Sequence, residues 1–132
     1  MREIKFRGKD KSTNEWFYGD LIHKHGQSFI RSHSKDRVRI VLVIPETVGQ
    51  FIGLYDIDNK EIYEGDIAQA TCIEDGVTYF GTITYDYSGF YLHVFNYDRL
   101  GLYDSNSLIE LYELKSLQVL GNSYDNPELL EK

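Results

Sequence analysis

The sequence predicts a mainly β protein, of the β-rich α+β class, with a strongly bent antiparallel sheet or a partly open barrel. Three observations lead to this prediction. Apolar and polar residues alternate over short stretches, turn-forming residues recur roughly every eight to twelve positions, and helical periodicity is scarce. Since the chain has 132 residues, 42% of them hydrophobic, we expect a single domain over residues 1–132.

Five strands are predicted in the first part of the chain, at 4–6, 15–23, 27–31, 37–44 and 50–55. Polar residues at 9–14, His25-Gly26 and 32–36 supply the turns, and Pro45 interrupts the ladder. The strand at 37–44 is the best core candidate. Its even-numbered residues, from Val38 to Ile44, are all apolar, so we expect them to face the core.

Further strands are predicted at 61–63, 66–73, 77–87, 90–97 and 117–120, with turns at Asp58-Asn59, Glu64-Gly65, Asp75-Gly76 and Ser88-Gly89. Leucines at three-residue steps predict a short helix over 108–114. Asn126-Pro127 predicts a helical turn at the C-terminal end, because proline suits the first helical position. One or two short helices are therefore expected beside the sheet.

The charge is distributed unevenly along the chain. The net charge is −7, but residues 1–40 carry ten Lys/Arg and five Asp/Glu, a net +5, and residues 41–132 carry four and sixteen, a net −12. Such a division favours attraction between the two parts, within one molecule or within a homo-oligomer. The overall acidity opposes binding to phosphate backbones.

The composition and the first residues are those expected of a cytoplasmic protein. The first seven residues are charged where a signal peptide is apolar, and the longest apolar run, 40–45, is too short to span a bilayer, so no membrane partner is expected. Cys72 is the single cysteine and is expected to be a small buried hydrophobe. We find no catalytic motif, expect no enzyme activity and expect no cofactor.

A metal site is one alternative. His23 and His25 would point to one side of a strand, and His33 would approach from the next loop, so that three ring nitrogens could hold zinc in a small metal-dependent enzyme. Histidines beside turns are more often simply solvated. The metal site is therefore the weaker interpretation of these residues.

A nucleic-acid-binding module is the other alternative. Its candidate residues are the cations of the basic N-terminal third: Lys24, Arg31, Lys35, Arg37 and Arg39. Their spacing is not specific, and nothing matches the aromatic motif of the common RNA-binding sheet domain. Binding to a protein is therefore favoured over binding to nucleic acid.

Six segments of the sequence resemble one protein family. They are 1–7 (MREIKFR), 16–21 (WFYGDL), 44–50 (IPETVGQ), 60–67 (KEIYEGDI), 119–122 (VLGN) and 124–130 (YDNPELL). In this order, over nearly the whole chain, they resemble the YopX family of phage and prophage proteins. The resemblance implies a mainly β, phage-associated cytoplasmic protein and carries over no catalytic residue. We therefore expect a non-enzymatic accessory protein that binds a phage or host protein or assembles with itself.

Overall fold

The chain is described by a computed structural model that covers residues 3–34, 37–86, 89–95 and 106–130. It divides into two compact units, Met1–Gly53 and Leu54–Lys132, which we call the N-terminal unit and the C-terminal unit. Strands dominate both units, and the helical segments of the described residues are single 3₁₀ turns. The predicted mainly β class is confirmed. The single-domain prediction stays a prediction.

Five strands make up the sheet of the N-terminal unit. They are β1 (Phe6–Lys9), β2 (Trp16–Lys24), β3 (Gln27–Ser34), β4 (Arg37–Val43) and β5 (Gly49–Tyr55), the last of which runs past the boundary between the units. Their order in the sheet is β4-β3-β2-β1-β5, and neighbouring strands are antiparallel. A 3₁₀ turn at Pro45–Thr47 separates β4 from β5, where proline was predicted to interrupt the ladder.

This sheet bends so that its first strand approaches β4 at one end. The chain just after β1 returns to the end of β4, and an isolated antiparallel bridge joins Asp10 to Val43. The Lys11 N–H donates to the Leu42 carbonyl oxygen at 3.0 Å, and the Ile44 N–H donates to the Lys9 carbonyl oxygen at 2.9 Å. Because only this short stretch is bridged, the described strands form a bent sheet and no closed barrel.

The core of the N-terminal unit lies on one face of this sheet, which we call the core face. Ile30, Val41 and Val43 are buried there, and four partly buried residues pack against them: Phe6, Phe17, Leu21 and Val48. Ile30 is opposite Val41 in the β3–β4 ladder, and Leu21 is opposite Ile30 in the β2–β3 ladder. Side chains alternate between faces along a strand, so these pairs place the odd-numbered residues of β4 on the core face.

The predicted orientation of β4 is therefore wrong. Val38 and Ile40, expected in the core, are 51% and 62% exposed, whereas Val41 and Val43 are buried. A shift of one position exchanges the two faces of a strand, and both sets of positions in β4 carry apolar residues. The pairing with β3, which the sequence of β4 alone does not contain, decides which set is buried.

The C-terminal unit contains the second antiparallel sheet, with the order β10-β9-β8-β7-β11. Its strands are β7 (Asp66–Cys72), β8 (Thr78–Asp86), β9 (Gly89–Val94), β10 (Leu108–Glu110) and β11 (Leu114–Asn122), and the short strand β6 (Glu61–Tyr63) precedes β7. The sheet buries one face, including Tyr79, Ile83 and Leu92. Cys72 is fully buried, which confirms the expected role as a small hydrophobe.

The predicted helix over 108–114 is wrong for most of its length. Residues 108–110 form β10, which pairs with β9, and only Leu111–Glu113 form a single 3₁₀ turn. Burial of Ile109 opposite Leu92 explains the outcome, since tertiary packing outweighs weak helical periodicity. The C-terminal helical turn is confirmed as a 3₁₀ turn at Pro127–Leu130. Among the described residues, none of the helical segments has the length and apolar character needed to cross a membrane.

Candidate protein-binding surface

The face of the N-terminal sheet opposite the core carries a continuous group of apolar side chains. We call this the non-core face, and its apolar members the apolar row: Ile22, Phe29, Leu42, Ile40 and Val38. Phe29 lies directly opposite both Ile22 in β2 and Leu42 in β4, so three strands contribute adjacent side chains. Ile22, Phe29 and Leu42 are half-buried, and Ile40 and Val38 are exposed.

Charged side chains border the apolar row. Arg31 is opposite Ile40 on one side and Asp20 on the other, and His33 is opposite Val38. The His33 Nε2 atom lies 3.5 Å from Asp20 Oδ2, in an exposed pair. An apolar centre with a charged rim is the arrangement found in protein-binding surfaces, whereas isolated exposed apolar residues are common everywhere.

The four described cations of the proposed nucleic-acid site are all exposed, but they lie on two different faces. Lys24 and Arg31 share the non-core face, because they follow Ile22 and Phe29 at two-residue steps. Arg37 and Arg39 lie on the core face, and the Arg39 guanidinium carbon is 5.1 Å from the centroid of the Phe17 ring. Lys35 lies outside the described residues. The sheet therefore does not gather these cations into one basic surface.

The three histidines of the proposed metal site do not converge. His23, on the core face, is opposite Ser28, and its Nδ1 atom lies 3.2 Å from the Ser28 hydroxyl. His25 occupies the turn between β2 and β3 with a φ of 53°. His33 lies on the other face and five residues farther along β3 than Ser28, a separation of about 17 Å along the strand. In the described part of the chain, no three His, Cys, Asp or Glu side chains form a cluster that could hold a metal ion.

A groove of about 470 Å³ lies in the C-terminal unit. It is lined mainly by apolar side chains, among them Leu54, Ile57, Leu111 and Tyr112. The negative charge of Glu110 raises the pKa of Tyr112 above its usual value of 10.0, so the phenol stays protonated at neutral pH. The groove is a second exposed apolar feature of the described residues.

The carboxylate that lines this groove, Asp56, has a structural role. Its Oδ1 atom accepts the N–H groups of Asp58 at 2.8 Å and Lys60 at 2.9 Å, and its Oδ2 atom accepts the Val119 N–H at 2.9 Å. Burial acts to raise the pKa of Asp56, but these three donors and the positive charge of Lys60 lower it below the usual 3.8. Asp56 is therefore an ionised anchor for the 56–60 turn.

Sequence reasoning missed the apolar row because it assigned Val38 and Ile40 to the core. The signal that could have found it is the second apolar run of β4, at Val41 and Val43, on the opposite face. A strand with apolar residues on both faces either lies between two layers or exposes one of its faces. The second outcome applies to residues 37–40 of β4, which are all exposed.

Comparison with known proteins places this fold in a family. The chain resembles protein EF1440 from Enterococcus faecalis, whose crystal structure matches with a TM-score of 0.54 and 23% sequence identity, over 98% of this chain and 99% of that chain. At this identity the likeness establishes the fold. No curated protein matches the chain. The family model described as YopX protein matches residues 5–131, across both units. The resemblance of the six sequence segments is thereby confirmed, and the chain belongs to the YopX family.

Proposed function

We propose that this protein is a non-enzymatic accessory protein of a phage or prophage, and that it acts in the bacterial cytoplasm by binding proteins through the apolar row. The partner is either a different protein or another copy of the chain. The observation that carries the proposal is the exposure of Val38 and Ile40 beside Phe29 and Leu42, on a face that the unit's own core does not use. A contiguous apolar surface of this kind marks binding sites.

The charges of the two units support protein binding as well. The N-terminal unit has ten Lys/Arg and six Asp/Glu, a net charge of +4, and the C-terminal unit has four and fifteen, a net charge of −11. The surroundings of the apolar row are therefore attractive to acidic proteins, and the acidic part of a second copy belongs to that class.

Binding to nucleic acid is the weaker proposal. It requires a surface on which cations lie together, but Arg31 and Arg39 lie on opposite faces of the sheet, and Asp20 is directly opposite Arg31. A salt-sensitive shift of DNA or RNA that is abolished by Arg31→Glu would favour nucleic acid over protein as the partner of the non-core face.

The double variant Val38→Thr/Ile40→Thr tests the proposed function. Threonine keeps the β-branched shape that suits a strand but replaces exposed apolar surface with hydroxyl groups, so the fold should persist and binding should weaken by about tenfold or more. The matched control is Ile73→Thr, because Ile73 is 59% exposed in the C-terminal unit. Light scattering after size-exclusion chromatography, over a range of concentrations, measures self-assembly. Affinity purification from lysogenic cells measures binding to other proteins.

The outcomes separate the two kinds of partner. If wild type and Ile73→Thr form assemblies and the double variant does not, the apolar row binds further copies of the chain. If instead the protein is a monomer, and wild type and Ile73→Thr copurify with a companion protein that the double variant loses, the occupant is a different protein. Identical assembly and identical companions for all three proteins would overturn the proposal.

A further inference from the structure

The edge of β4 is occupied by the chain itself at one end. Residues 42–44 pair with residues 9–11 through the two backbone hydrogen bonds that flank the Asp10–Val43 bridge. The chain then turns away, because the Asn14 N–H donates to the Asp10 carbonyl oxygen at 2.9 Å, and Asn14 takes a φ of 67°. Within the described residues, the stretch of β4 from Arg37 to Val41 is paired with β3 on one side and has no strand beside it on the other.

The backbone of this open stretch is oriented for pairing with another strand. The Leu42 carbonyl and the Ile44 N–H both point toward the edge, since they bond to Lys11 and Lys9. Orientation alternates along an antiparallel strand, so Ile40 and Val38 also direct their N–H and C=O groups toward the edge. An edge that presents backbone groups in this way is a template for an added strand.

The side chains of the open stretch specify what kind of strand would fit. Val38 and Ile40 lie on the non-core face, and Arg37 and Arg39 lie on the core face. A symmetric pair of β4 strands from two copies, centred on Val38, would place Arg37 opposite Arg39, and like charges directly opposite each other are destabilising. A strand that alternates apolar with acidic residues satisfies both faces.

The bridge at the other end of β4 is an internal example of this pairing. Asp10 is opposite Val43 and therefore shares the core face with Arg39. The Ser12 N–H, 2.8 Å from Asp10 Oδ1, lowers the pKa of Asp10, and the positive charge of Arg39 lowers it further. An acidic residue on a segment paired with this edge thus already lies on the same face as the two arginines.

We propose that the open edge of β4 binds an extended segment of a partner protein in antiparallel orientation, with apolar residues opposite Ile40 and Val38 and acidic residues opposite Arg39 and Arg37. The inference rests on the proposed function, since it assumes that the protein works by binding proteins. It adds the chemistry of the bound segment, an alternation of apolar and acidic residues.

A synthetic peptide with the core Val-Glu-Val-Glu between Gly-Ser flanks, carrying a fluorophore, tests the inference by fluorescence anisotropy. Wild-type protein should bind it, and a peptide with lysine in place of glutamate should bind about tenfold or more weakly. The variant Arg37→Glu/Arg39→Glu should show the reverse preference. The glutamate and lysine peptides and the two forms of the protein exchange the charges on both partners. A reversed peptide preference therefore shows that these side chains are paired, beyond a general attraction between opposite charges.

Backbone pairing has its own test with the unaltered protein. Methylating the peptide nitrogens of the two valines removes the hydrogen bonds to Ile40 and Val38 and should abolish binding, whereas methylating the glutamate nitrogens, which point away from the edge, should leave binding largely intact. Equal loss in both methylated peptides, or no charge preference in wild type, would overturn the inference.

Failure here is distinguishable from failure of the proposed function. Suppose that Val38→Thr/Ile40→Thr loses its companion protein but no peptide binds the edge. The apolar row then binds the partner through its exposed side chains, so the proposed function stands and only the inference about the edge is overturned. The inference would be overturned in favour of nucleic acid if the protein bound DNA or RNA but not the acidic peptide, and if Arg37→Glu/Arg39→Glu lost that binding.

Discussion

Alanine in place of Gly81 is expected to lower the free energy of unfolding of the C-terminal unit by about 3 kcal/mol. Gly81 is buried in β8, between β7 and β9. A Cβ atom at this position would overlap the backbone carbonyl of His93 and lie 2.9 Å from Leu92 Cγ. Because backbone atoms cannot rotate away as a side chain can, β9 would have to move and weaken its ladder with β8.

Gly89→Ala is the matched control for Gly81→Ala. Gly89 begins the partner strand of the same hairpin, opposite Asp86, and a Cβ atom there would meet nothing within 4 Å. Urea unfolding followed by circular dichroism measures both variants. Trp16, the single tryptophan, lies in the N-terminal unit, so its fluorescence reports that unit separately. Equal stability of the two alanine variants would show that β9 accommodates the methyl group without cost.

Local patterns predicted most strands of this fold, because alternation and turn residues are properties of neighbouring positions. The β8–β9 hairpin, the turn at Asp75-Gly76 and the turn at Asp58-Asn59 all occur where they were predicted, and Gly76 and Asn59 take positive φ values of 71° and 64°. These residues tolerate that conformation better than others. Information that lies within a few residues is sufficient for such features.

Features that depend on distant residues could not be predicted in the same way. The burial of Val41 rather than Ile40 depends on the register with Ile30, and the close approach at Gly81 depends on the path of His93. The candidate surface is of this kind, since exposure of Val38 is a property of the whole sheet. Sequence analysis named Arg37 and Arg39 among the candidate cations, and both are exposed, but it could not show that they lie on a different face from Arg31.

Asparagine in place of Asp56 is expected to lower the free energy of unfolding by about 2–3 kcal/mol at neutral pH. Asp56 is 7% exposed, and its carboxylate accepts three backbone N–H groups, two on Oδ1 and one on Oδ2. An asparagine side chain has one oxygen, so in either orientation its NH₂ group faces at least one N–H donor. A donor left without an acceptor in a buried place loses its hydrogen bond to water as well.

The turn at 56–60 and the β11 strand depend on this carboxylate together. The Ile57 N–H donates to the Leu117 carbonyl oxygen at 2.8 Å, beside the Val119 N–H that Asp56 accepts. At this point β11 leaves its regular pairing with β7, between Lys115 and Gln118. The turn therefore satisfies backbone groups of the irregular part of β11, and Asp56→Asn should increase hydrogen exchange at Val119.

The effect of Asp56→Asn should depend on pH, in a direction set by the lowered pKa of Asp56. A carboxyl group whose pKa is lower in the folded state than its usual 3.8 stabilises the fold fully above that value, and the contribution is lost as the pH falls through the lower, folded-state pKa. Urea unfolding from about pH 7 to about pH 3 should therefore show the difference between wild type and Asp56→Asn narrowing in acid. Asp58→Asn is the control, because it removes an exposed charge from the same turn. A difference that stays constant down to about pH 3 would show that the three hydrogen bonds do not depend on ionisation, and that the shape of the side chain alone holds the turn.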